Sequence, residues 1–238
     1  MAAVQAPSPV QAPAFTRLLA RLAGADIPAS GPALAERLGQ WLDWNRAVVL
    51  ARALDGRLPD PVPTASARSD DMADGARVRA SLAEAIGNER GLNLAATAAA
   101  DFAPFRRYAL ATQRAMQAAS GRLRGQLREQ LAAIPALARL AEVDAVMEQT
   151  LSPREANVLA GVPRLLEARF EQLRASAGPP VAELPHAVAA GDAGAMALSP
   201  APASWLAVFR GDLKDVLLAE LDVRFHPIEG LLAALRSC

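Results

Sequence analysis

One cysteine, Cys238, occurs in the 238 residues, so the chain can form no internal disulfide and no zinc site built from cysteines. Lysine is as scarce, Lys214 standing alone among 25 basic residues that are otherwise arginine. Aromatic residues make up 4 %. Valine, isoleucine and threonine, which with the aromatics favour strands, are also sparse. That shortage argues against sheet and for a core of leucine and alanine, across which helices can approach closely. The two histidines, His186 and His226, lie far apart and make neither a metal site nor a catalytic triad. The 25 acidic and 25 basic residues cancel, which excludes a global field that draws nucleic acid or an anionic membrane. The longest uncharged run, Ala193 to Phe209, contains Pro200, Pro202 and two serines, so it does not read as a membrane span. Residues 1–14 have no basic region and are broken by Pro7, Pro9 and Pro13, unlike a secretory signal. There is no P-loop, no dinucleotide fingerprint, and no HExxH or GxSxG. The expectation is a cytoplasmic, non-enzymatic protein with no catalytic residues, no cofactor and no metal, and with no direct insertion into membrane.

What the chain has in excess is alanine, 56 residues, with leucine, arginine and glutamate behind it. All four are good helix formers. The fold class is therefore read as all-α, a bundle of about six to eight helices around a long central amphipathic one.

That central helix is read over residues 102–134. At about 100° per residue, Phe102, Phe105, Tyr108, Ala109, Met116, Ala119, Leu123, Leu127, Leu131 and Ile134 share one arc of roughly 140°. Thr112, Ser120 and Gln130 are the polar residues inside it. Arg106, Arg107, Arg114, Arg122, Arg124 and Arg128 all fall outside, with only Asp101 and Glu129 near them. Gly121 and Gly125 are on the same basic side. Three readings of the arginine face compete: a solvated or internally paired surface, a docking patch for an acidic protein partner, and phosphate contact with nucleic acid. No aromatic, lysine or glycine-rich element interleaves with the arginines as single-strand or RNA readers want. Of the functional readings, the protein partner is preferred.

Residues 1–13 read as a disordered Ala/Pro/Gln tail. The bundle is read over 14–177, with a flexible loop at 55–68, and a disordered linker over 178–203. Within the bundle, a short helix near Phe15–Ala23 ends at Gly24. One helix from Ser30-Gly31-Pro32 reaches Leu54, with Leu34, Leu38, Trp41, Leu42, Val48 and Val49 as its apolar stripe. Another starts at Ser69-Asp70-Asp71 and passes Met72, Val78, Leu82 and Ile86. Asp101 can cap the central helix, which tolerates Pro104 in its first turn. Pro135 is expected to open a helix through Leu137, Leu140, Ala141, Met147 and Leu151. Residues 204–238 read as a helical hairpin: Ser204 caps a helix with Trp205, Phe209, Leu213, Leu217 and Leu221 on one face. A turn at His226-Pro227, with His226 as a partner for the dipole at the helix end, leads to a last helix over Ile228–Leu235. Such a hairpin is too small to stand alone and must dock on the bundle, dimerise or hold another protein.

Ser152-Pro153-Arg154-Glu155 is the pattern of a capping box with proline at the first helical position, so a helix is expected from there to Ala177, kinked at Pro163. The run from Leu151 to Leu159 also resembles the opening of the helix-turn-helix of LuxR-type regulators. Pro163 sits where that motif's first helix should finish, and no second basic helix follows, so the cap explains the same residues without DNA. Two acids, Glu220 and Asp144, fall within apolar arcs of their helices. A buried charge needs a partner, which makes Glu220 with Arg224, and Asp144 with an arginine, expected structural pairs rather than a catalytic carboxylate pair.

The order of features is similar to that of an uncharacterised bacterial family of unknown function, Ala/Arg-rich all-helical proteins of high-GC Gram-negative genomes. The similarity runs over residues 15–237. It is carried by Phe105-Arg-Arg-Tyr108, Gln113-Arg-Ala-Met116, Leu140-Ala-Glu-Val-Asp-Ala-Val-Met147, Val162-Pro163, Arg169-Phe170 and Leu217-Leu-Ala-Glu-Leu-Asp-Val-Arg-Phe-His-Pro227. The resemblance implies no activity for any residue. Members of that family tend to be encoded near envelope-associated proteins of the OmpA-like kind, so the resemblance implies a cytoplasmic accessory of a membrane assembly. The function expected is a helical adaptor or assembly factor that binds protein partners, with a homodimer as one arrangement; the alternative is a nucleic-acid-binding regulator that uses the arginine face of helix 102–134.

Overall fold

The computed structural model describes residues 13–26, 34–57, 70–88, 101–177 and 202–237. They form α1 (Ala14–Ala23), α2 (Leu34–Trp41), α3 (Trp44–Asp55), α4 (Asp70–Gly87), α5 (Ala103–Ala133), α6 (Ala138–Leu159), α7 (Val162–Ser176) and α8 (Pro202–Arg236), with no strand among the described residues. The fold is an all-α bundle. The expected tail, the 55–68 loop beyond Arg57, the Ser30-Gly31-Pro32 start, Ser69, and the linker up to Ala201 lie outside the described residues.

Local chemistry accounts for several boundaries. Gly24 ends α1 in the left-handed region, φ 61°, its N–H donating to Ala20 and Arg21 carbonyls. Asp43 breaks the single helix expected over 32–54 into α2 and α3: its Oδ1 accepts from the Arg46 N–H at 2.8 Å, an N-cap in mid-pattern. Phe102, not Asp101, is the N-cap of α5; Asp101 stands one residue before it, its Oδ1 accepting from the Ala103 N–H at 2.9 Å in a local turn that leads into the helix.

Three proline readings need correction. Pro135 opens no helix; a turn carries the chain to Ala138. Ser152-Pro153 is not a helix start, for α6 runs through it to Leu159. Pro153 frees one carbonyl, that of Gln149, which is an exposed residue. The neighbouring turn is held by its own bonds: buried Thr150 donates to the Val146 carbonyl at 2.8 Å, and its own carbonyl accepts from Arg46 and Arg154, each at 3.4 Å. The true break comes at Ala160-Gly161, and Pro163 sits in the first turn of α7, where a missing N–H costs nothing.

The C-terminal hairpin is the largest correction. α8 is one helix of 35 residues with Pro227 inside it, and His226 is an exposed mid-helix residue, not a helix end. An internal proline costs about 3 kcal/mol. Phe225 and Ile228, 2 % and 0 % exposed, bury on either side of it, and each such side chain is worth about 1.5–3 kcal/mol. Helix continuity therefore wins. α8 packs against α1, α4, α5 and α7, so it is the centre of the core and not a tethered module.

Between α5, α7 and α8 the core is aromatic. Phe209 meets Phe105 edge-to-face at 5.0 Å and Phe170 at 5.1 Å, and Phe170 meets Trp205 at 5.2 Å and Phe102 at 5.7 Å. Aliphatic residues continue the core along α8 through Leu213, Val216, Leu217, Leu221, Ile228 and Leu231. α3 lies on α6, where the Arg139 guanidinium donates to the carbonyls of Ala53, Leu54 and Gly56 and so occupies the unpaired end of α3.

Candidate functional site

The six arginines of α5 divide by their angle on the helix. Arg124 and Arg128 flank the core side and are half-buried against α6. Arg124 holds Asp144 in a fork, Nε to Oδ2 at 2.9 Å and Nη2 to Oδ1 at 2.6 Å, and Arg128 bridges Asp144 at 3.4 Å and Glu148. Asp144 thus has its expected arginine. Arg106, Arg107, Arg114 and Arg122 are exposed, and none has a charged partner among the described residues.

Arg107, Arg114 and Gly121 follow one another at seven-residue spacing, and so do Ala111, Ala118 and Gly125. At about 100° per residue both series fall on the outward side of α5, opposite the buried Phe105, Met116, Leu123 and Leu127. A Cβ placed at Gly121 or Gly125 meets nothing within 4 Å. The result, among the described residues, is a shallow strip of small residues edged by guanidinium groups and covered by no other element.

Beneath the opposite face lies a buried polar network. Glu220 is fully buried, and Arg224 grips one of its oxygens from one turn away, at 2.8 and 3.0 Å. The other oxygen accepts from Gln113 Nε2 at 2.8 Å, and that amide also reaches the Leu159 carbonyl at 3.3 Å. Arg224 donates in addition to Gln117 and lies 3.7 Å from Glu155. The Glu220–Arg224 pair was legible in the sequence. Gln113 was not, because it sits at the edge of the apolar arc beside residues that are exposed. Glu155 is no capping residue; it serves this network from mid-helix.

Tyr108, the chain's one tyrosine, donates to the carbonyls of Ala85 and Ile86 at 3.2 and 3.0 Å, at the end of α4. Burial raises its phenol above the ordinary value of 10.0, with an opposing contribution from a hydrogen bond with Thr112. The folded state therefore holds the proton more tightly than the unfolded one. The associated stability is complete below the unfolded value and is lost as pH rises through the folded one. A spectrophotometric titration should place the phenolate midpoint above that of the urea-unfolded chain; coincident midpoints would contradict the contact.

The face expected to serve a C-terminal hairpin is in the core. Phe209, Leu213, Leu217 and Leu221 are buried and Trp205 is half-buried, so these residues hold the bundle together. Among the described residues no three histidine, cysteine or acidic side chains gather as metal ligands, and no helix is long and apolar enough to cross a membrane.

Over residues 1–237 the chain matches the family model described as "Protein of unknown function (DUF3348)". The chain belongs to this family. No curated protein and no solved structure matches it.

Proposed function

We propose that the protein is a non-enzymatic helical adaptor or assembly factor that docks an acidic helix of a partner protein on the outward face of α5. One observation carries the reading: exposed Arg107, Arg114 and Arg122, without acidic partners among the described residues, border a strip formed by Ala111, Ala118, Gly121 and Gly125 that no other described element covers. Small side chains let a second helix come to the near end of the usual spacing, about 8 Å between axes. The seven-residue recurrence suits a partner with a coiled-coil seam. Acidic residues beside that seam would meet the arginines as forked, charge-assisted hydrogen bonds. With net charge near zero, the attraction is confined to this patch and is steeply salt-dependent. The compartment we propose is the cytoplasm, and the partner is proposed to belong to an envelope-associated complex.

The test is the double reversal Arg107→Glu with Arg114→Glu. Both residues are exposed, so stability should change by no more than about 0.5 kcal/mol. Partner protein co-purifying with the tagged full-length chain at low salt, quantified by mass spectrometry, should fall at least tenfold (~1.4 kcal/mol). An unchanged set of co-purifying proteins, or recovery of nucleic acid in their place, would defeat the reading.

A further inference from the structure

Where α6 gives way to α7 the surface opens into a cleft of about 320 Å³, lined by Arg106 and Leu110 of α5, Asn157 of α6, Ala160 and Gly161 of the junction, and Pro163 and Arg164 of α7. It lies on the flank of α5, away from the outward strip. Arg106 and Arg164 come from different helices, about sixty positions apart in the chain, and line one concavity. Neither has an acid or a hydrogen-bond acceptor among the described residues.

Arg124 and Arg128 also converge, but Asp144 lies between them and accepts from both, and Glu148 completes the charge balance. At the cleft no carboxylate among the described residues plays that part. Two guanidinium groups at one concavity repel each other and strengthen the local field for an anion. Asn157 lines the same cleft with an amide that can donate to oxygen, while Leu110 and Pro163 give it an apolar wall. The helix terminus does not supply the donors: Arg164 and Leu165 N–H groups are bound to the Gly161 carbonyl at 3.1 and 3.3 Å, and Pro163 has none. The charge at the site is that of side chains.

We propose that this cleft binds a small organic anion, its phosphate or carboxylate held between Arg106 and Arg164 as Asp144 is held between Arg124 and Arg128, with Asn157 as a third donor. The size is at the lower end for ligand sites, about 300 Å³, which suits a group of a few heavy atoms and not a large cofactor. The site is independent of the outward strip on α5, so either can fail without the other.

The probes are inorganic phosphate and succinate, titrated into the full-length protein at low ionic strength and followed by calorimetry and by the side-chain signals of arginine in nuclear magnetic resonance. Saturable binding of at least one probe is expected at about 1 mM or tighter. Arg106→Ala with Arg164→Ala should weaken it at least tenfold, and Arg114→Ala with Arg122→Ala should leave it within about twofold. Phosphate binding the tighter would assign a phosphorylated ligand, and succinate the tighter a carboxylate. All four arginines are exposed, so the variants should remain folded, and circular dichroism verifies it. No saturable binding of either probe, or equal weakening by both double variants, would overturn the site.

Discussion

Replacing Phe209 by alanine is expected to lower the unfolding free energy by about 3–5 kcal/mol. The side chain is 0 % exposed and lies within 6.1 Å, ring centre to ring centre, of Phe102, Phe105 and Phe170. Truncation loses transfer energy and leaves a cavity among rings that backbone on three helices prevents from collapsing inward. Aromatic pairs of this geometry add about 0.5–1.5 kcal/mol each beyond buried area. A domain is typically stable by about 5–15 kcal/mol, so the variant should unfold at markedly lower urea concentration, as read by far-ultraviolet circular dichroism. A loss below about 1 kcal/mol would mean that α8 is dispensable to the bundle, as a tethered hairpin would be. For the same reason, deletion of residues 202–238 removes the centre of the core and cannot isolate a separate activity of that segment.

The second large effect is at the buried pair. Arg224→Ala strands the Glu220 carboxylate, whose residue is 0 % exposed, with Gln113 as its remaining hydrogen-bond donor. Breaking a buried pair from one side costs about 3–5 kcal/mol. Replacing both, Glu220→Leu with Arg224→Met, removes the charge that needed a partner and should return most of that loss, since such swaps are often neutral or stabilising by about 1–4 kcal/mol. Urea denaturation of the two variants separates the cases. Equal destabilisation by the single and the double replacement would show that the network's worth lies in its packing, not in pairing a buried charge. Its place between α5, the end of α6 and α8 makes it a device that sets the register of these helices.

Helix content was legible because alanine, leucine and arginine at 3.6-residue spacing leave little alternative. The long basic-faced helix was legible to within a residue at each end, since Asp101 and Pro135 bracket it. Prolines were the weak point. Pro153 and Pro227 read as boundaries, yet each sits inside a helix, because burial of Thr150 and Leu159 in one case, and of Phe225 and Ile228 in the other, outweighs one lost hydrogen bond. Local capping patterns carry no information about that tertiary burial. The spacing of α8 did hold the answer: Leu217, Leu221, Phe225, Ile228 and Leu232 continue one face straight through Pro227. Of the candidate site, the arginine face was visible but its division was not. Which arginines are spent internally depends on Asp144 and Glu148 of the neighbouring helix, and packing alone brings those opposite. The cleft between Arg106 and Arg164 was invisible for the same reason.

The most direct test of the docking face is a photocrosslinking amino acid placed at Ala118, midway along the strip between Ala111 and Gly125. In cells, irradiation should join the full-length chain to a discrete partner polypeptide, and the adduct should disappear when Arg107 and Arg114 are reversed to glutamate. No adduct at Ala118, an adduct that survives the reversal, or the same adduct from a crosslinker at exposed Val158 on α6 would contradict the account.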